Sequence, residues 1–190
     1  MRILLAAILG GIAMFAWSSI AHMALPLGET GVRQIPVESE PAVLNAMQTG
    51  LSASPGFYIF PGMGHDQKAM QEYDKKLAVA PSGVLIYHPA GASLDMPRHL
   101  GVEFFTEFLE TFLVIMLLNQ TRITSYVARV GFVTLAGILA SITANIPYWN
   151  WYGFPSQYTA GYMTIQIVGF LVAGLAAAAV MKPAPAQVTA

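Results

Sequence analysis

Three glutamates, Glu103, Glu107 and Glu110, recur at i, i+4 and i+7. At 3.6 residues per turn this spacing puts them on one narrow face of a helix, over about 10 Å of its length. They fall inside an apolar run, Leu100 to Asn119, whose other faces carry Phe104, Phe105, Phe108, Phe112 and the stretch Leu113 to Leu118. A run of that length crosses a bilayer, and a span beginning near Leu100 sets Glu110 close to the midplane. An ionised carboxylate there costs roughly 2.5 to 3.5 kcal/mol on insertion scales. At least one proton is therefore expected to be held or shared on this face near neutral pH. A span that starts later leaves Glu103 merely interfacial.

Arg122 and Arg129 read as lying between the second and third apolar runs, so no lysine or arginine inside a span is available to neutralise the glutamates. The polar groups left to them are Asn145, Ser141, Gln166, Thr164, Tyr148 and His22. Acids within a membrane commonly line a cavity or pathway, so one expectation is a proton or cation route from the outer face towards Glu110, with Asn145 and Gln166 beside it. The competing expectation is that protonated glutamates hydrogen-bond to neighbouring helices or to a partner subunit.

His22 and His99 stand at the outer ends of the first and second runs, and His99 precedes Glu103 and Glu107 at i, i+4 and i+8. Imidazole with carboxylate suits zinc, manganese or iron, and two histidines on facing helices could hold a haem axially. Methionine lies beside histidine at His22-Met23, Met63-Gly64-His65 and Met96-Pro97-Arg98-His99, a pairing that suits copper. Against these stand the lack of any Glu-x-x-His pair and the common use of single histidines as interfacial anchors. No cofactor is predicted, and a metal or haem at His22 and His99 is the lesser alternative.

Composition narrows the remaining chemistry. With 190 residues, 55% of them hydrophobic and 10% charged, the chain is far from a soluble average, and its mean hydropathy of +0.56 makes lipid part of the solvent. A net charge of -1 offers no basic surface for phosphates, so nucleic acid is not an expected partner. Zero cysteines exclude disulfides, thiolate metal sites, iron-sulfur clusters and thiol redox chemistry. No hydrolase elbow, phosphate loop, dinucleotide fingerprint or zinc-protease helix is present, and nothing proposes a nucleophile.

The elements that would position the glutamates are four apolar runs: Ile3 to Met23, Leu100 to Asn119, Tyr126 to Ile146 and Ala160 to Met181. Arg2, Arg122, Arg129 and Lys182 flank them at ends that the positive-inside bias assigns to the cytoplasm, which sets both termini inside. Arg33, Lys68, Lys75, Lys76 and Arg98 lie in the long stretch between the first two runs, where length weakens that bias. The first run also fits a cleaved signal peptide, with Ser19-Ile20-Ala21 as its small-x-small site, although apolarity continuing through Met23, Leu25 and Leu27 favours a retained span.

Between the first two runs, turn signals at Pro55-Gly56, Pro61-Gly62, Pro81-Ser82-Gly83 and Pro89-Ala90-Gly91 divide a segment of soluble character. The pattern predicts helices over Ala42 to Gln48 and Asp66 to Leu77, and strands over Phe57 to Phe60 and Val84 to Tyr87. The strand-helix-strand portion has the length of a βαβ unit. Further along, Tyr148 to Pro155 is dense in amphipathic rings, and Trp149, Trp151 and Tyr152, with Trp17 on the first run, are read as interfacial anchors in a turn joining the last two helices.

Helices in lipid need small residues for close approach. Ala136, Ala140 and Ala144, beside Gly137, Ser141 and Asn145, form such stripes on the third run; Gly169, Ala173 and Ala177, beside Gly174 and Ala178, form them on the fourth. A tight pairing of helices three and four is expected, with Pro147 ending or kinking helix three near its outer end.

The order of features resembles a group of small uncharacterised bacterial inner-membrane proteins. The resemblance rests on Trp17-Ser18-Ser19-Ile20-Ala21-His22-Met23-Ala24-Leu25-Pro26, on Gly56-Phe57-Tyr58-Ile59-Phe60-Pro61, and on Trp149-Asn150-Trp151-Tyr152-Gly153-Phe154-Pro155 with Tyr158-Thr159 opening the last helix. It implies four helices and a bacterial location, and brings no activity. The chain is thus expected to be an all-α membrane protein, a four-transmembrane-helix bundle with a small α+β extracytoplasmic insertion between helices 1 and 2. It divides into a first span over 1–24, a loop domain over 25–98, three spans over 99–181 and a disordered cytoplasmic tail over 182–190. The expected function is that of an accessory, scaffold or binding subunit in the bacterial inner membrane, meeting the lipid bilayer and either other subunits or a second copy of itself. The alternative is a small proton or cation transporter that uses the glutamate face.

Overall fold

Long apolar helices dominate the chain. The computed structural model describes residues 2–51, 53–64 and 67–181, so His65, Asp66 and the tail over 182–190 lie outside the described residues. In chain order the elements are α1 (Arg2–Met23), α2 (Glu40–Leu51), β1 (Gly56–Phe60), α3 (Gln67–Val79), β2 (Gly83–Tyr87), α4 (Met96–Asn119), α5 (Tyr126–Tyr152) and α6 (Ser156–Val180). Three of them, α1, α5 and α6, are long and apolar enough to cross a membrane. Many of their large side chains, such as Leu4, Ile12, Leu135 and Leu139, point outward, as a lipid-facing surface requires. The protein is therefore membrane-embedded. The chain forms two compact units: one of α1 with the turn that follows it to Val32 and α4, α5 and α6, the other Arg33–Leu94.

Within the helical unit, α1 lies between α4 and α6, and α6 lies between α1 and α5. Glycine makes both junctions close. A Cβ on Gly10 would stand 2.6 Å from Thr111 Cγ2, and one on Gly11 would stand 2.9 Å from the Phe108 Cα, so α4 can seat on α1 only because these positions are bare. Likewise a Cβ on Gly137 would meet Phe170 at 2.4 Å, which joins α5 to α6. The expected stripes are thus reassigned. Gly137 and Ser141 are buried on α5, whereas Ala140 and Ala144 are exposed. Gly169, Ala173 and Ala177 face Met14, Trp17 and Gly10 of α1, and it is Gly174 that meets Val130 and Val133 of α5. Because α6 is sandwiched, it needs two small faces rather than one.

Helix ends also depart from expectation. Asp95 caps α4 by accepting from the Arg98 amide at 3.1 Å, with Pro97 in the first turn, so the helix starts a turn before the apolar run and carries His99 on its body. Ser125 caps α5 in the same way, accepting from the Ala128 amide at 3.2 Å. α5 then runs through Pro147 to Tyr152, which places Tyr148 to Tyr152 in the helix rather than in a turn. What stops it is Gly153, in the left-handed conformation at φ 69°, followed by Pro155. Arg129 lies inside α5, one turn from its start, and is buried rather than between helices. Its guanidinium donates to the backbone carbonyls of Ile123, at 3.2 Å, and Met181, and so ties the start of α5 to the end of α6.

The apolar core sits towards that same end. Ala6, Met14, Val114, Ile115, Leu118, Val133, Phe170, Ala173 and Ala177 pack together from all four helices.

In the Arg33–Leu94 unit, β1 and β2 pair antiparallel, from Gly56↔Tyr87 to Phe60↔Gly83. A βαβ crossover would make them parallel, so that expectation is overturned. The intervening α3 is rich in lysine, glutamine and acidic residues, with little apolar surface to cover a sheet face. Instead Lys76 Nζ donates to the Gly62 carbonyl at 3.1 Å, and the chain returns to the end of the sheet that it left. Among the described residues of this unit only Tyr87 is buried.

Candidate functional site

On the side of the bundle away from the core, α1, α4 and α6 diverge around a cleft of about 410 Å³. The junction at Gly10 and Gly11 sets the rotation of α4, turning Glu107 and Thr111 towards α1. All three glutamates consequently line one cleft, joined by His22, His99, Trp17 and Gln166. Their environments differ sharply. Glu103 is exposed, Glu110 is half-buried, and Glu107 is 5% exposed. Distance from the helix start does not set burial here; the face turned to α1 does.

Glu107 is the unusual member. Its Oε2 is buried and has no hydrogen-bond partner among the described residues. The Ser18 hydroxyl is within reach of the same carboxyl, but it also donates to the Phe15 carbonyl at 3.1 Å, and one hydroxyl proton serves one acceptor at a time. A buried polar atom without a partner costs on the order of 1 to 3 kcal/mol, more when charged, so the fold sustains this group at the expense of stability.

Aromatic groups form much of the remaining wall. Trp17 Nε1 donates to the Ile165 carbonyl at 2.9 Å, which fixes the indole beside the cleft. Phe15 meets Phe104 edge-on, with centroids 5.4 Å apart. His22 Nδ1 donates to the Ser18 carbonyl at 2.9 Å, and the ring stands edge-on to Tyr162. Gly28 packs over that ring; a Cβ there would meet His22 Cδ2 at 2.4 Å. Asn145 does not line the cleft. Its amide donates to Gln166 Oε1 at 2.7 Å and to the Ser141 carbonyl at 2.9 Å, so it positions Gln166 from behind.

One turn inward of Glu107, Thr111 is fully buried, and beyond it Val114, Ile115 and Leu118 pack with Val133 and Phe170. That packed layer closes the inner end of the cleft. His22 and His99 share the cleft wall, yet among the described residues no three His, Asp or Glu side chains are grouped to hold a metal ion. Trp149, Trp151 and Tyr152 stand apart from the cleft at the end of α5, where Trp149 Nε1 donates to Ser156 Oγ at 3.0 Å and Trp151 is 78% exposed.

Reading by residue type missed Phe15, Ser18 and Tyr162. A signal for Ser18 exists: Gly11, Ser18 and His22 recur at i, i+7 and i+11 and trace one stripe of α1. No family model matches the chain, and neither a curated protein nor a solved structure matches it. Function is therefore read from this chain's own residues.

Proposed function

We propose that the chain is a four-span protein of the bacterial inner membrane, with both termini cytoplasmic, that binds a positively charged group in the acidic cleft and serves as a binding subunit. The observation that carries this reading is Glu107: a carboxyl almost wholly buried, lining a cleft with two further glutamates, and keeping one oxygen without a partner among the described residues. α4 supports the fourth span. It has 24 residues, packs along α1, and exposes Phe105, Leu109, Leu113 and Leu117 on its outer side. Arg2, Arg122 and Arg129 at one end of the bundle support the cytoplasmic assignment of that end and an extracytoplasmic Arg33–Leu94 unit.

Binding ranks ahead of conduction because the packed layer from Thr111 to Leu118 leaves the cleft a dead end. Transport would require a second arrangement of α4 against α1 and α6. The test is the thermal midpoint of the detergent-purified protein with sodium, potassium, magnesium, ammonium and organic ammonium salts at matched ionic strength. At least one cation is expected to raise the midpoint in the parent and to lose that effect in the Glu107→Gln, Glu110→Gln double variant; no response to any cation would sink the reading.

A scaffold role has its own support in α2, which buries none of its residues and leaves Leu44 exposed. Recovery of a stoichiometric membrane partner in mild detergent, lost in Leu44→Glu, is the expected result for that role.

A further inference from the structure

The cleft combines three things that narrow its ligand. First, Glu107 lines the cleft with an almost wholly buried carboxyl whose Oε2 has no partner among the described residues, and a hydrogen-bond donor in the cleft would offset the solvation that carboxyl has lost. Second, the described acidic and histidine side chains are not grouped in threes, so a bare metal ion would find too few ligands. Third, the cleft is also lined by Phe15, Trp17, Ile165 and Tyr162, apolar surface that favours an apolar body on the ligand. A volume of about 410 Å³ suits a small organic molecule.

We propose that the cleft binds a primary ammonium group carried on an apolar body, with the ammonium donating to Glu107 and the body lying against the aromatic wall. The proposal rests on the cation-binding reading above and adds to it the class of cation. Thr111 and the packed layer beneath it stop the ligand at Glu107, while the exposed Glu103 stands at the open end and draws the cation in. Gln166, held from behind by Asn145, offers its amide to a polar group on the ligand. Two sources carry the primary ammonium, free aralkyl amines and ethanolamine lipids, and the experiment separates them.

The full chain is reconstituted in phosphatidylcholine nanodiscs with Trp149 and Trp151 replaced by Phe, so that emission reports Trp17 alone. Phenethylammonium, its N,N,N-trimethyl derivative, sodium and potassium are titrated separately, and a further sample contains phosphatidylethanolamine. Phenethylammonium is expected to shift Trp17 emission saturably. Its trimethyl derivative, which keeps the charge and the ring but has no N–H, is expected to bind about tenfold or more weakly. A response confined to the phosphatidylethanolamine sample supports the ammonium contact with Glu107 and overturns the apolar body. Glu107→Gln is expected to abolish either response while keeping the size-exclusion profile of the parent; the trimethyl comparison needs no variant and stands even if Glu107→Gln fails to fold. Equal binding of the trimethyl compound, or a response to sodium or potassium alone, overturns the ligand class and leaves the acidic cleft as a general cation site. No response to any of these probes overturns the ligand class, whereas the cation reading itself stands or falls on the thermal-midpoint test above.

Discussion

Glu107 shows what a buried, partly unpartnered carboxyl contributes and what it costs. Replacing it with methionine, similar in length and free of polar atoms, removes an unsatisfied buried group. The ligand-free protein is expected to become more stable by about 1 to 3 kcal/mol, read as a higher thermal midpoint, while cation-dependent stabilisation disappears. A loss of stability instead would mean that the carboxyl is fully satisfied in the membrane. Glu103 is exposed on the same cleft, so Glu103→Gln is expected to leave the ligand-free midpoint unchanged and to weaken cation binding less than Glu107→Gln does. The i, i+4, i+7 spacing made all three glutamates visible in advance, but it ranked them by distance along the helix. Their burial is ranked by which side of α4 meets α1, a relation between two helices that no spacing within one helix contains.

At the scale of the helices, glycine contacts are the features most open to a test. Gly11→Ala places a methyl 2.9 Å from the Phe108 backbone, and Gly137→Ala places one 2.4 Å from Phe170 Cβ. Each is expected to destabilise by about 1 to 3 kcal/mol, because the obstruction is backbone or the root of a side chain and the helices must separate to relieve it. Gly101→Ala and Gly131→Ala, with nothing within 4 Å of the added Cβ, are the controls and are expected to be neutral or stabilising by up to about 1 kcal/mol. Gly11→Ala should also weaken cation binding, since the same junction orients Glu107. The four long helical segments were legible from apolar length alone, but the stop of α5 at Gly153 was not, since the helix was expected to end or kink at Pro147. The extension of α5 through Pro147 was not legible, because a proline near a helix end removes one hydrogen bond without dictating where the helix stops.

For the whole molecule, the proposed topology makes a clear expectation about sidedness. The absence of cysteine means that each introduced one is unique. A cysteine at Ser82 and another at Thr124 are expected to react with a membrane-impermeant maleimide from opposite sides of oriented vesicles, because α4 would lie across the membrane between them. Labelling of both from one side would remove α4 from the spans. The closed inner layer implies a second expectation: proteoliposomes of the parent should show no steady proton leak under an imposed potential, whereas Ile115→Gly, which opens a cavity in that layer, should raise it measurably. Membrane character, the apolar helices and the acidic face follow from residue type and local period, since desolvation and helical pitch act within a single segment. The depth of Glu107, the closure of the cleft, the two faces of α6 and the antiparallel strands belong to the tertiary structure, because each depends on which surfaces meet across segments distant in the chain.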